Sequence, residues 1–215
     1  MHGGYFTKFV LGIALFLGLS AAGLASEPTQ HVGPVSQAGL GQMMAAPDAH
    51  HTGPRPAVIQ EIADYVCANP NTGAPIPVVK DTTLQNIAVS RRLRGGDLEI
   101  YYNPKYMGLF KAPTALFWLE HECMHHQLGH TAPHNGPPLN DAQRAAEENE
   151  ADCAAIKTMV KRQPPMIDAA ELQTIETEVG KLTGGGFYKT GPQRAKWIDG
   201  CVVEAVADIK ARKTN

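Results

Sequence analysis

Hydrophobic positions along the chain change rhythm several times, and the changes mark out the elements. Phe9 to Leu19 is almost unbroken apolar sequence. From Ser26 to about Pro56, residues such as Gly, Pro, Ala, Gln and His follow one another without a period. Such a stretch has too little apolar surface to order itself, and 26–56 reads as a flexible linker. From Ala57 to Cys67 the apolar residues Val58, Ile59, Ile62, Tyr65 and Val66 suit a short amphipathic helix. Asn69-Pro70-Asn71-Thr72-Gly73 is turn chemistry. Two β-prone runs come next, Ile76 to Val79 and Leu98 to Tyr102, the second entered through Gly95-Gly96-Asp97. They are expected to pair as a small sheet that closes at Asn103-Pro104.

Helical spacing dominates the rest. Pro113 opens a helix at the position where a proline costs no hydrogen bond. Its first turns, Leu116-Phe117-Trp118-Leu119, are apolar all round, which predicts burial on every side. Gly129 is placed to end it, and Pro133, Pro137 and Pro138 forbid its continuation. Asn140 or Asp141 caps a second helix that runs through Ala145, Ile156 and Val160 towards Pro164. A third is expected over Ile167 to Leu182, stopped by Gly184-Gly185-Gly186, and a last one from about Pro192 to Lys213. In the last helix Trp197, Ile198, Cys201, Val202, Ala205 and Ile209 read as core. The predicted fold class is α+β and mostly helical, one domain over residues 57–215 with a small sheet beside the first of these helices.

Composition adds an address. The apolar run at Phe9 to Leu19 follows a short segment with one lysine, and small residues come after it up to Ala25. That is the layout of a secretory signal peptide over residues 1–25, and it predicts an exported, periplasmic or secreted chain with no membrane span after cleavage. A formal net charge of -2, with no basic stripe, speaks against a nucleic-acid partner. Export makes the four cysteines, Cys67, Cys123, Cys153 and Cys201, candidates for two disulfides. Cys153 lies on a helix expected to pack beside the helix of Cys123, so the expected pairs are Cys123 with Cys153 and Cys67 with Cys201.

The candidate chemistry sits in the buried helix. His121-Glu122-Cys123-Met124-His125 is an HExxH motif. On a helix the two histidines share a face and can offer their imidazoles to one metal ion, with Glu122 one step round and in reach of a water on it. A catalytic zinc normally has three protein ligands and a water. The third can come from Glu148 on the next helix, from His130 just past the helix end, or from Glu147 or Glu150. Glu148 has Asp152 on its own face at i+4, and Asp152 could accept the free ring N–H of a ligand histidine. A metzincin arrangement is excluded, because the positions that need glycine and histidine hold Leu128 and Thr131. His126 and His130 otherwise read as solvent-facing or capping groups, and His50-His51 as a solvated pair.

The two strings His121-Glu122-x-x-His125 and Glu148-x-x-Ala151-Asp152, taken together, resemble the HExxH and ExxxD pair of gluzincin zinc peptidases, and most nearly the HtpX and CAAX-prenyl-protease type. The resemblance covers roughly Leu98 to Ile156. It implies a zincin-like minimal metallopeptidase domain with Zn2+ held by His121, His125 and Glu148, Glu122 as general base and Asp152 behind a ligand. It also implies that Leu98 to Tyr102 is the edge strand along which an extended substrate lies. In that family a late histidine, ahead of a proline and an arginine, is associated with stabilising the transition state. The corresponding stretch here, Tyr188 to Arg194, has no histidine, and Tyr188 stands as the candidate donor to the oxyanion.

The expected function is that of an exported zinc metalloendopeptidase acting on proteins or peptides, with Glu122 relaying a proton from water to the leaving amine. The reading from a different class is a zinc-binding, non-hydrolytic interaction or chaperone-like module. A structural zinc would be closed by a fourth protein ligand such as His130, whereas a catalytic site keeps that position open.

Overall fold

The computed structural model describes residues 62–213, apart from 134, 135, 163, 185 and 187. The expected signal peptide, the linker and His50-His51 lie outside the described residues. Of the helix expected over Ala57 to Cys67, only residues 62–64 are both described and helical. The chain then passes into strand β1, Cys67–Ala68, which pairs antiparallel with β2, Pro75–Ile76, around the turn at Asn69. Three further strands, β3 (Val78–Lys80), β4 (Ala88–Arg92) and β5 (Leu98–Tyr102), form a second sheet in the order β3-β5-β4.

β3 pairs with β5 in parallel, Val78 opposite Ile100, while β4 pairs with it antiparallel, Ser90 opposite Ile100. Leu98 to Tyr102 is therefore the central strand, not the edge expected of it. The strand inserted beside it, Ala-Val-Ser-Arg-Arg, carries no apolar alternation that announces it in the sequence. An edge strand buries little, and exposed charge on it discourages pairing with other chains. Ala88 is its one buried residue, on the same face as Ile100.

Five helices follow: α1 (Pro104–Met107), α2 (Ala112–Gln127), α3 (Asp141–Lys161), α4 (Ala169–Gly180) and α5 (Gly191–Lys213). Their starts obey the capping rules. Asn140 and Gln143 form a reciprocal capping box on α3, and Asp168 and Glu171 form one on α4. Helix α2 is the hub, packed against α3, α4, β4, β5 and β1. Phe117 and Leu119 are fully buried, and so are Ile100, Ile156, Met159, Ile175 and Ile198 from the elements around the hub. A helix with apolar groups on all sides stays put only in such a central position.

Helix α5 closes the molecule by packing on α3 and α4. Its first residue, Gly191, comes so close to the end of α4 that an added Cβ would stand 2.3 Å from the carbonyl oxygen of Leu182. Of the residues expected to form the core of α5, Ile198, Cys201 and Ala205 are buried. Trp197 is 41% exposed; its indole N–H reaches the carbonyl of Asn149 on α3 at 2.9 Å.

All four cysteines are in disulfides, but the pairs are Cys67–Cys123 and Cys153–Cys201. The expected pairing fails for a helical reason. His121 faces α3, and a residue two places on points about 200° away round the helix, so Cys123 looks back at β1. Asp152 likewise faces α2, which turns Cys153 towards α5. Among the described residues no helix is long and apolar enough to cross a membrane.

Candidate metal centre

The HExxH residues occupy the buried second half of α2, and α3 lies alongside with Glu148 and Asp152 on its facing side. Nε2 of His121 and Nε2 of His125 are 3.1 Å apart. Glu148 completes the triangle, with Oε2 3.2 Å from His121 Nε2 and Oε1 3.5 Å from His125 Nε2. The three residues are a group able to hold a metal ion, with ligand atoms all within 4.8 Å of one another. Ligands of a tetrahedral zinc site with bonds of 2.0–2.1 Å stand roughly 3.3 Å apart. The triangle therefore has about the edges such an ion needs. Two imidazoles and one carboxylate also suit zinc better than Ca2+ or Mg2+, which take oxygen ligands.

Each imidazole has a partner behind it. Nδ1 of His121 is 2.9 Å from Oδ1 of Asp152, an ion-pair contact whose angle falls short of a hydrogen bond, and it leaves Nε2 for the cluster. Asp152 is in turn held by Arg194 from α5, whose Nε donates to Oδ2 at 2.6 Å and whose Nη2 donates to Oδ1. The Arg194 guanidinium lies 4.6 Å from the centre of the Trp118 ring, on the face of α2 one turn before His121. Sequence reasoning gave Arg194 no role. This arginine follows Gln193 on a helix that also carries Lys196 and Arg212, and nothing in the sequence tells that it is only 6% exposed.

Behind His125 stands His130, with Nδ1 to Nδ1 3.0 Å. His130 approaches the ring nitrogen remote from the cluster, so it is not a ligand of the ion that the triangle would hold. Nor are Glu147 and Glu150 part of the group; Glu150 instead lies 3.3 Å from Nε2 of His130. The side chain of His130 is 8% exposed. His126 departs further from expectation, being 1% exposed. Its Nε2 lies 3.1 Å from the carbonyl oxygen of Glu99 in β5 and its Nδ1 2.9 Å from Oγ1 of Thr131, so it fastens the hub to the sheet.

Glu122 sits beside the triangle, on the sheet side. Its Oε2 accepts the backbone N–H of Ser90 in β4 at 2.7 Å. This bond holds the carboxylate from an edge strand that the sequence did not reveal. Tyr188, from the segment before α5, lines a small cavity with Glu148, Asn149, Asp152 and Arg194. The expected oxyanion donor therefore lies on the Glu148 side of the site.

Charge follows from these contacts. Burial alone would lower His121, but Asp152 and Glu148 outweigh it and raise its pKa to about 10. Burial and then the charge of His121 push His125 down to about 3. Burial works against ionising Asp152 too, yet Arg194 and His121 hold it at about 2. Glu148 stays below its usual range, since His121 and its other cationic neighbours outweigh burial. Glu122 goes the other way, raised chiefly by burial. Burial, followed by Glu148 and Glu122, raises Tyr188, which keeps its hydroxyl proton at neutral pH.

No protein-family profile, curated protein or solved structure matches the chain.

Proposed function

We propose that the protein is an exported zinc metalloendopeptidase in which Glu122 is the general base. One observation carries this reading: Glu122, held by the Ser90 amide, is the helix neighbour of His121 in a ligand triangle that has two imidazole nitrogens, one carboxylate and edges of 3.1, 3.2 and 3.5 Å. A zinc ion held there supplies Lewis acidity, polarising a scissile carbonyl and acidifying a water. The residues supply the rest. His121 and His125 present Nε2, and Asp152 keeps the His121 ring turned so that it can. Glu122, with Oε2 committed to Ser90, takes the proton of the attacking water on Oε1 and passes it to the leaving amine. Tyr188 donates its hydroxyl hydrogen to the oxygen on which negative charge develops.

The zincin-like assignment and the likeness to HtpX-type gluzincins belong to the same proposal, supported by the two motifs meeting across α2 and α3. Export is supported by the two disulfides, which persist in oxidising compartments. Against the non-hydrolytic alternative stands the ligand count. Among the described residues no fourth His, Cys, Asp or Glu joins the three, whereas a structural zinc is closed by four.

The test compares the full chain with its Glu122→Gln variant for zinc content and for cleavage of an unfolded protein. One zinc in each, with cleavage by the wild type alone, is the expected result. Zinc in both with cleavage by neither would move the protein to the binding class, and absence of zinc from both would sink the site.

A further inference from the structure

The way α2 ends puts a second histidine to work. Gly129 has φ of 81°, a conformation that favours glycine. Around it, the backbone N–H of Gly129 donates to the carbonyl of His126 at 3.2 Å, and that of His130 to the carbonyl of His125 at 2.9 Å. These are the two reversed bonds of a Schellman cap. The cap folds the residue after the glycine back over the last turn, and the contact made there is frequently apolar. In this chain both partners of that contact are histidine.

Two imidazole nitrogens 3.0 Å apart share one proton between them. To ligate a metal, His125 keeps its lone pair on Nε2, so its own proton sits on Nδ1 and points at His130. Nδ1 of His130 then accepts, and the proton of His130 sits on Nε2, which faces Oε2 of Glu150 at 3.3 Å. A single assignment of protons satisfies the whole chain of groups.

We infer that His130, backed by Glu150, is the positioning residue for the ligand His125, as Asp152 is for His121. This inference rests on the metal-site reading above. An acceptor behind a ligand imidazole fixes the ring's orientation and raises the basicity of the ligating nitrogen. The two supports differ in kind. Asp152 is buried under Arg194, whereas the side chain of Glu150 is 61% exposed. The functional motif thus extends past HExxH to the glycine and histidine that cap the helix.

Four forms of the full chain decide it: wild type, His130→Leu, His130→Asn and Glu150→Ala. Zinc affinity is read by competition with a chromophoric chelator, and geometry by the visible spectrum of the cobalt(II)-loaded protein. His130→Leu is expected to lose roughly 10- to 100-fold in zinc affinity and to shift the cobalt bands. His130→Asn, with an amide oxygen able to accept from His125, should recover most of both. Glu150→Ala, at an exposed position, should move in the same direction by less. Circular dichroism of the metal-free forms checks folding; should the leucine variant not fold, Glu150→Ala still decides. Wild-type affinity and spectrum in every folded variant would overturn the inference. A wild type that takes up neither zinc nor cobalt would instead remove the metal-site reading, and this inference with it.

Discussion

Arg194 grips both carboxylate oxygens of Asp152, and the same carboxylate stands 2.9 Å behind the ring of His121. Both residues are buried, so the pair can be broken only by stranding a charge. Replacing Arg194 with Met should destabilise the protein by about 3–5 kcal/mol, with Lys recovering part because it lacks the planar fork. Replacing both, as Asp152→Leu with Arg194→Met, should return much of that stability while zinc affinity stays low. Urea unfolding together with chelator competition separates the two effects.

Metal binding should depend steeply on pH, and the sign follows from His121. In the metal-free protein its folded pKa of about 10 lies above the ordinary 6.5. Its ion pair with Asp152 therefore contributes stability that is complete below 6.5 and is lost as pH rises through 10. At the acid end the same pair fails as pH falls through about 2, where Asp152 takes up a proton. A bound metal needs the neutral ring and displaces that proton. Between pH 6.5 and 9 zinc affinity should rise about tenfold per unit, or about 1.4 kcal/mol. Calorimetry in buffers of different ionisation enthalpy should count one proton released from His121.

Peptide mapping under non-reducing conditions should recover Cys67 joined to Cys123 and Cys153 joined to Cys201. Removing the second bridge by Cys153→Ala with Cys201→Ala should cost about 2–4 kcal/mol in thermal unfolding. Recovery of a peptide joining Cys123 to Cys153 would mean that the α2–α3 packing is wrong.

Gly191→Ala should act at a distance. The new methyl meets the backbone carbonyls of Leu182, Gly180 and Val179, which cannot turn aside as a side chain could. A loss of about 1–3 kcal/mol is expected. Because Arg194 lies in the first turn of the same helix, zinc affinity should fall as well, and chelator competition reads it.

The sequence carried the helices well, because Pro113, Gly129, Asn140 and the apolar spacing act locally. It also carried the placing of His121 beside His125, since i and i+4 on one helix are a fixed geometry. It did not carry what depends on how elements face one another. Cys123 was separable from the metal face by helical angle alone, yet which neighbour lay behind it required the packing of β1. His126 looked like a surface residue because its partners, Glu99 and Thr131, are set by the meeting of helix and sheet. Strand β4 was silent because its side chains are those of an edge, although its Ser90 amide is what holds Glu122.

The two disulfides close successive loops, residues 67–123 and 153–201, and neither loop encloses the other. The connection between α2 and α3 runs between them. A single cut in that connection would yield two separately cross-linked fragments, one bearing His121 and His125 and the other Glu148. Side-chain packing, the Lys111 N–H bond to Glu178 and the His121–Asp152 pair would then join them, and under the proposed metal site an ion shared by His121, His125 and Glu148 would add a further link between the fragments.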